Sequence, residues 1–242
     1  MGKTIVVSSF NNTCSLMKTS KPLLVYVLLL VNTQLIAAEG FSEVNNALFD
    51  SPHMQNIKVP GSLNYLYKKT GINEQAKEDS VTVNITNISD TGRTDQAYDF
   101  FTGENKRPYQ DRKKFLGNGI LMLFLEWDVH ELERQTGGTW RHFQRRIRWA
   151  MAAGAVKKEV LIAYQGKDTK GTQYIIQPYA NDEKSARYGP NANKYYTFTL
   201  SDEIPGTIYE VRTIVPKAKT WHEGDELLTD ERITFTGFTP GQ

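Results

Sequence analysis

Glu126, Asp128 and His130 stand within five residues of one another, and two carboxylates beside an imidazole can do acid–base work, as on a glycosidic bond. They lie where an apolar run gives way to a helix start, a place where burial raises a carboxylate's pKa. The competing reading makes Asp128 a helix cap and leaves Glu126 to pair with a nearby arginine. His130-Glu131 also opens like the zinc helix H-E-x-x-H, whose second imidazole must lie four residues on to reach the same metal. That position holds Arg134, a cation where a ligand is needed. His53, His142 and His222 show no ligand spacing among themselves, so neither a metal nor another cofactor is expected. No G-x-S-x-G elbow occurs. Gly166-Lys167-Asp168-Thr169 lacks the upstream glycine of a phosphate loop and falls within a hairpin rather than between strand and helix.

A second chemistry is electrostatic. Arg141, Arg145 and Arg148 are spaced by four and three, so a helix carries them on one face, with Arg146 at the margin. A guanidinium row can bind a phosphate, a lipid headgroup or a carboxylate partner; its plain alternative is the solvated side of an amphipathic helix. Tyr65, Tyr67, Tyr98, Phe100, Tyr174 and Tyr196 load the strands with rings. If a sheet curls incompletely around a helix, such rings line an apolar cavity; closely packed, they are ordinary core. The expected ligand-binding residues are therefore Arg141, Arg145, Arg148, Tyr65, Tyr67 and Tyr174.

The elements that must position these groups are mostly strands. Leu63, Tyr65 and Tyr67 alternate with polar residues, as do Val81, Val83 and Ile85, the period of a half-buried strand. Thr91-Gly92 turns the chain into a strand over Ala97–Phe101. A polar stretch from Glu104 to Lys114 reads as a surface loop or flap. Ile120–Leu125, apolar throughout, reads as a strand covered on both faces. Asp128, with Glu131 three residues on, then caps a first helix that Gly137-Gly138 stops. Thr139 caps a second, whose Trp140, Phe143, Ile147, Ala150 and Met151 share a face, and Gly154 ends it. Val160–Gln165 and Gln173–Tyr179 read as a hairpin around a Gly166–Gly171 loop; Tyr195–Leu200, Thr207–Val215 and Arg232–Phe238 complete the strands. The expected fold is α+β: a curved, mainly antiparallel sheet of eight or nine strands with a two-helix insertion packed on it.

Around this domain the chain carries the marks of export. Lys18 and Lys21 precede Leu23–Val31, nine residues without charge, and Ala37 and Ala38 supply the small exit residues of a signal peptide. Asn32, Thr33 and Gln34 cut the run short of the roughly 20 residues a membrane span needs. Cleavage near Ala38 is expected, leaving a periplasmic or secreted protein without a transmembrane anchor. Residues 1–16 read as an extension ahead of a more ordinary start at Met17-Lys18, residues 39–60 as an irregular lead-in, and residues 61–242 as one domain. The only cysteine is Cys14, so the processed chain has no thiolate nucleophile, no Cys-type zinc site and no residue to carry a lipoprotein anchor. Without Lys3, Lys18 and Lys21, 26 basic side chains face 27 acidic ones, and the net charge of −1 steers nothing toward nucleic acid.

Several stretches resemble a family of exported bacterial proteins of unknown function. They are Asp99-Phe100-Phe101-Thr102-Gly103, Phe124-Leu125-Glu126-Trp127-Asp128-Val129, Thr136-Gly137-Gly138, Phe143-Gln144-Arg145-Arg146-Ile147-Arg148, and Leu200-Ser201-Asp202 with Pro205-Gly206. That resemblance implies export and transfers no activity. The strand order is also similar, in architecture alone, to periplasmic half-barrel carriers of lipoproteins. The expectation is a non-enzymatic module that binds an apolar, lipid-like ligand or an envelope protein. The alternative is an envelope hydrolase working through Glu126, Asp128 and His130.

Overall fold

Alternation decides the first strands. In a computed structural model, which describes residues 42–72 and 74–241, β1 (Gly61–Thr70) buries Leu63, Tyr65 and Tyr67, and β2 (Lys77–Ile88) buries Val81, Val83 and Ile85. The two pair antiparallel with Leu63 opposite Val83 and Tyr65 opposite Val81, so both apolar rows share one face. Gly92, at φ +73°, makes the turn into β3 (Thr94–Phe100), which adds Gln96, Tyr98 and Phe100 to that face. The polar stretch that follows is not all loop, since it ends in a short strand, β4 (Arg112–Phe115). The expected signal segment, its cleavage point and Cys14 lie outside the described residues.

The remaining strands are β5 (Val156–Tyr164), β6 (Lys167–Ile176), β7 (Tyr195–Leu200), β8 (Ile208–Pro216) and β9 (Leu227–Pro240). All nine join one antiparallel curved sheet in the order β4-β3-β2-β1-β9-β8-β7-β6-β5. First and last strands meet at its middle, while β4 and β5 are its edges. The chain therefore leaves one edge, passes through the helices, and enters the other, so the helical pair spans the sheet. This is the α+β fold expected, with nine strands among the described residues.

The helices depart from expectation in an instructive way. Ile120–Leu125 is not a strand; it is the opening of α2 (Ile120–Thr136). Ile120, Leu121, Leu123 and Phe124 are buried while Met122 and Leu125 are half-buried, a helical stripe within a run too short and too uniformly apolar to declare its period. Asp128 is thus mid-helix rather than a cap. The helix starts instead on Asn118, whose side-chain carbonyl accepts the Ile120 N–H at 3.1 Å. Gly119 is there for room, because a Cβ would stand 2.4 Å from the Tyr98 hydroxyl. Gly137, at φ +68°, ends α2 as expected, and α3 (Trp140–Ala153) follows. Thr139 precedes α3 in extended conformation, but its side chain makes no cap bond; the Glu133 carboxylate of α2 accepts the Trp140 N–H instead, at 3.1 Å.

Two further expectations change. The Gly166–Gly171 loop is mostly strand, since β5 and β6 turn through Gln165 and Gly166 alone, both at positive φ. The lead-in begins with a short helix, α1 (Glu43–Asn45), continued by a π-helical turn over Asn46–Asp50. It is anchored by buried Val44, Leu48, Met54 and Ile57. Its His53 accepts the Asn118 N–H at Nδ1 (3.1 Å) and faces the Ala47 carbonyl with Nε2 (2.7 Å). The two contacts together specify the neutral ring protonated at Nε2, and burial lowers its pKa accordingly.

Candidate functional site

The outward face of α3 gathers charge without answering it. Arg141, Gln144, Arg145, Arg148 and Trp149 are exposed, while Phe143, Ile147 and Met151 face the core. The helix contains no acidic residue. Among the described residues, the arginines within ion-pair distance of a carboxylate are Arg134, Arg146, Arg212 and Arg232; Arg141, Arg145 and Arg148 are not among them. Trp149 is 55 % exposed, with the Arg145 guanidinium 5.3 Å from its ring centre. Arg141 stands 4.5 Å over Trp140. Guanidinium groups beside an exposed indole match a surface that is anionic outside and apolar just beneath.

Under this face, polar ties hold the helical pair to its surroundings. Asp128 of α2 is fully buried; it takes a hydrogen bond from Lys194 on one oxygen and from the Tyr196 hydroxyl, at 2.5 Å, on the other. The Tyr179 and Tyr196 hydroxyls are 2.7 Å apart, and burial with the neighbouring Asp128 charge pushes both pKa values well up. Glu231 of β9 accepts from Trp127 Nε1 (2.9 Å) and from Tyr67 (2.8 Å), whose pKa is raised by burial and by that carboxylate. On α3, His142 Nε2 meets Asp182 at 2.6 Å, Tyr188 donates to the same oxygen at 3.0 Å, and Arg146 donates to the Pro178 carbonyl at 3.1 Å. Burial works to raise the Asp182 pKa. The Lys184 N–H, His142 and Tyr188 outweigh it, and the carboxyl is held below its usual range.

The residues expected from sequence fall into three groups. Arg141, Arg145 and Arg148 do share one exposed helical face. Tyr65, Tyr67 and Tyr174 are buried, with hydroxyls donating to no common point: Tyr67 bonds Glu231, Tyr174 bonds Glu43 at 3.2 Å, and Tyr65 accepts from Asn118 at 2.8 Å. Glu126 and His130 are exposed on one side of α2, and Asp128 is buried on the other. His130 lies 3.4 Å from Glu133. The three do not converge on a reacting position. Among the described residues no group of three His, Cys, Asp or Glu side chains is placed to hold a metal, and no helix is long and apolar enough to cross a membrane.

A cleft of about 380 Å³ opens between the lead-in, the β5–β6 hairpin and the β7–β8 connection, with Glu159, Lys170, Tyr174, Asp202 and Glu203 in its wall. Its buried polar groups are already engaged: Ser201 donates to the Lys170 carbonyl and Thr207 to that of His53. Sequence reasoning missed Lys194, Asp182 and Glu231, each of which meets its partner across 40 residues or more of chain, where no spacing rule reaches.

No known protein family matches the chain, and no curated protein does. Solved structures similar to it include two from bacteria. The Mycobacterium tuberculosis lipoprotein LppX is 12 % identical, with 76 % of this chain and 89 % of that one covered, at a TM-score of 0.32. The LolA superfamily protein NE2245 from Nitrosomonas europaea is 7 % identical, with 79 % and 90 % covered, at a TM-score of 0.21. Superposition this loose transfers neither fold nor function.

Proposed function

We propose that this protein is an exported, non-enzymatic module that binds lipid-like amphiphiles with anionic heads through the outer face of α3. The observation that supports this most is the set of three guanidinium groups, Arg141, Arg145 and Arg148, exposed on one helix face without a carboxylate partner among the described residues, beside an exposed Trp149. Each arginine near an anionic lipid surface contributes about 1 kcal/mol, so the three together favour such a surface by on the order of 100-fold. The apolar part of the ligand belongs with the interior of the sheet. Phe124 and Phe143 fill that space in the folded chain, so a tail reaches it only when the α2–α3 pair lifts and its polar ties break. On this reading residues 1–38 are removed at export near Ala38, residues 61–242 are the binding domain, and the site of action is the periplasm.

Co-sedimentation with vesicles tests the head-group half. Binding to vesicles rich in phosphatidylglycerol, weakening with salt, together with little binding to phosphatidylcholine alone, is expected. Equal partition to both contradicts the proposal. Native mass spectrometry after incubation with a lipid extract tests the apolar half: adducts of lipid mass are expected, and the bare protein mass alone counts against a tail site.

A further inference from the structure

The two edges of the sheet are built differently. β4 has four residues, three of them basic (Arg112, Lys113 and Lys114), and its register with β3 is broken where Lys114 takes φ +50°. Short, charged and kinked strands resist pairing with another chain. β5 has nine residues and pairs with β6 without a register break from Val156 to Tyr164. Its other side meets no strand among the described residues. It also carries Leu161, 70 % exposed, the most exposed large hydrophobic side chain among those described.

The hairpin turn sets which backbone groups are free. Residues flanking a two-residue turn form a hydrogen-bonded pair, so Tyr164 and, by alternation, Ile162 and Val160 aim their N–H and C=O at β6. Ala163, Leu161 and Glu159 aim theirs outward. A two-fold axis through a hydrogen-bonded ring centred on Leu161 then sets Leu161 against its twin, Val160 against Ile162, Glu159 against Ala163, and Lys158 against Tyr164. No like charges oppose each other in that register. Centring instead on Lys157, Lys158 or Glu159 puts identical charges face to face.

We infer that β5 pairs antiparallel with β5 of a second copy of this chain, about a two-fold axis at Leu161, joining the two sheets edge to edge. A single strand pair is a small interface, so the dimer is a reversible one that fills as concentration rises. This is independent of the ligand proposed above.

Sedimentation equilibrium of the full chain over a wide concentration range tests it. The weight-average mass is expected to climb toward twice the monomer's. Leu161→Lys, which opposes two charges, and Ala163→Pro, which removes an outward N–H and leaves the β6 ladder whole, are both expected to stay monomeric while melting cooperatively. Leu161→Cys in a Cys14→Ser background is expected to give a disulfide-linked dimer on mild oxidation, since opposed residues in such a pair lie within disulfide reach, and Lys158→Cys is not. A wild-type mass that stays monomeric at about millimolar concentration overturns the inference. So does a dimer that persists in Ala163→Pro or fails to cross-link through position 161.

Discussion

Two groups of arginine on this molecule, one on the sheet and one on α3, meet their surroundings differently. Arg212 and Arg232, on neighbouring strands, share Asp230, which Arg212 grips with both arms of its guanidinium at 2.8 and 2.9 Å, and Glu210 lies 4.0 Å from Arg232. Both guanidinium groups there face carboxylates, although Arg232 Nε is buried without a hydrogen-bond partner among the described residues. On α3, Arg146 likewise has Asp182 and the Pro178 carbonyl, while Arg141, Arg145 and Arg148 have no carboxylate partner among the described residues. A matched guanidinium is part of how the fold holds together. An unmatched row on an exposed face is free to do work on something else.

That contrast can be strained at several points. The greatest effect is expected in the matched interior: Asp128→Asn leaves Lys194, whose side chain is 7 % exposed, buried without its counter-charge. A loss of about 3–5 kcal/mol in urea unfolding is expected. The Asp128→Leu, Lys194→Met pair is expected to recover most of it, and failure to recover would mean that the tie contributes more than mutual neutralisation. Next comes Arg212→Gln, expected to cost about 2 kcal/mol through the lost bidentate bond to Asp230.

A pH titration reads the ties beneath α3. The lowered pKa of Asp182 means that its stabilising effect is complete above the unfolded carboxylate value, near 4, and fades as pH falls through the lower folded value. Asp182→Asn is therefore expected to flatten the stability profile on the acid side while shifting little of its shape above neutrality. A profile unchanged below pH 4 would show that the α3 contact does not hold the charged form. The smallest expected effect on stability is in the unmatched row, where Arg141→Gln, Arg145→Gln and Arg148→Gln together change unfolding free energy by about 0.5 kcal/mol or less.

The same division explains what could be read from sequence. Alternation marked β1 and β2 because each has one buried face, and the spacing of Arg141, Arg145 and Arg148 placed them together because a helix has a fixed period. Ile120–Leu125 misled because an unbroken apolar run is compatible with a buried strand and with a helix pressed on a sheet. Asp128 misled for a related reason. With α2 begun nine residues too late, a buried ion-pair partner resembled a cap. Lys194 carried no signal at all, since its identity as a partner depends on β7 passing beneath α2, a tertiary fact. Nor could spacing separate Arg146, paired with Asp182, from Arg145, which reaches only the His142 ring at 3.3 Å.

The central claim is that charge unanswered within the fold is what this protein offers to a ligand, and vesicle partition of two variants tests it directly. On phosphatidylglycerol-rich vesicles at low salt, the triple Arg141, Arg145, Arg148→Gln variant is expected to bind on the order of 100-fold more weakly than the parent, with its stability intact. Arg212→Gln, less stable but folded, is expected to bind as the parent does. Equal losses in both variants, or none in the triple one, would contradict the account.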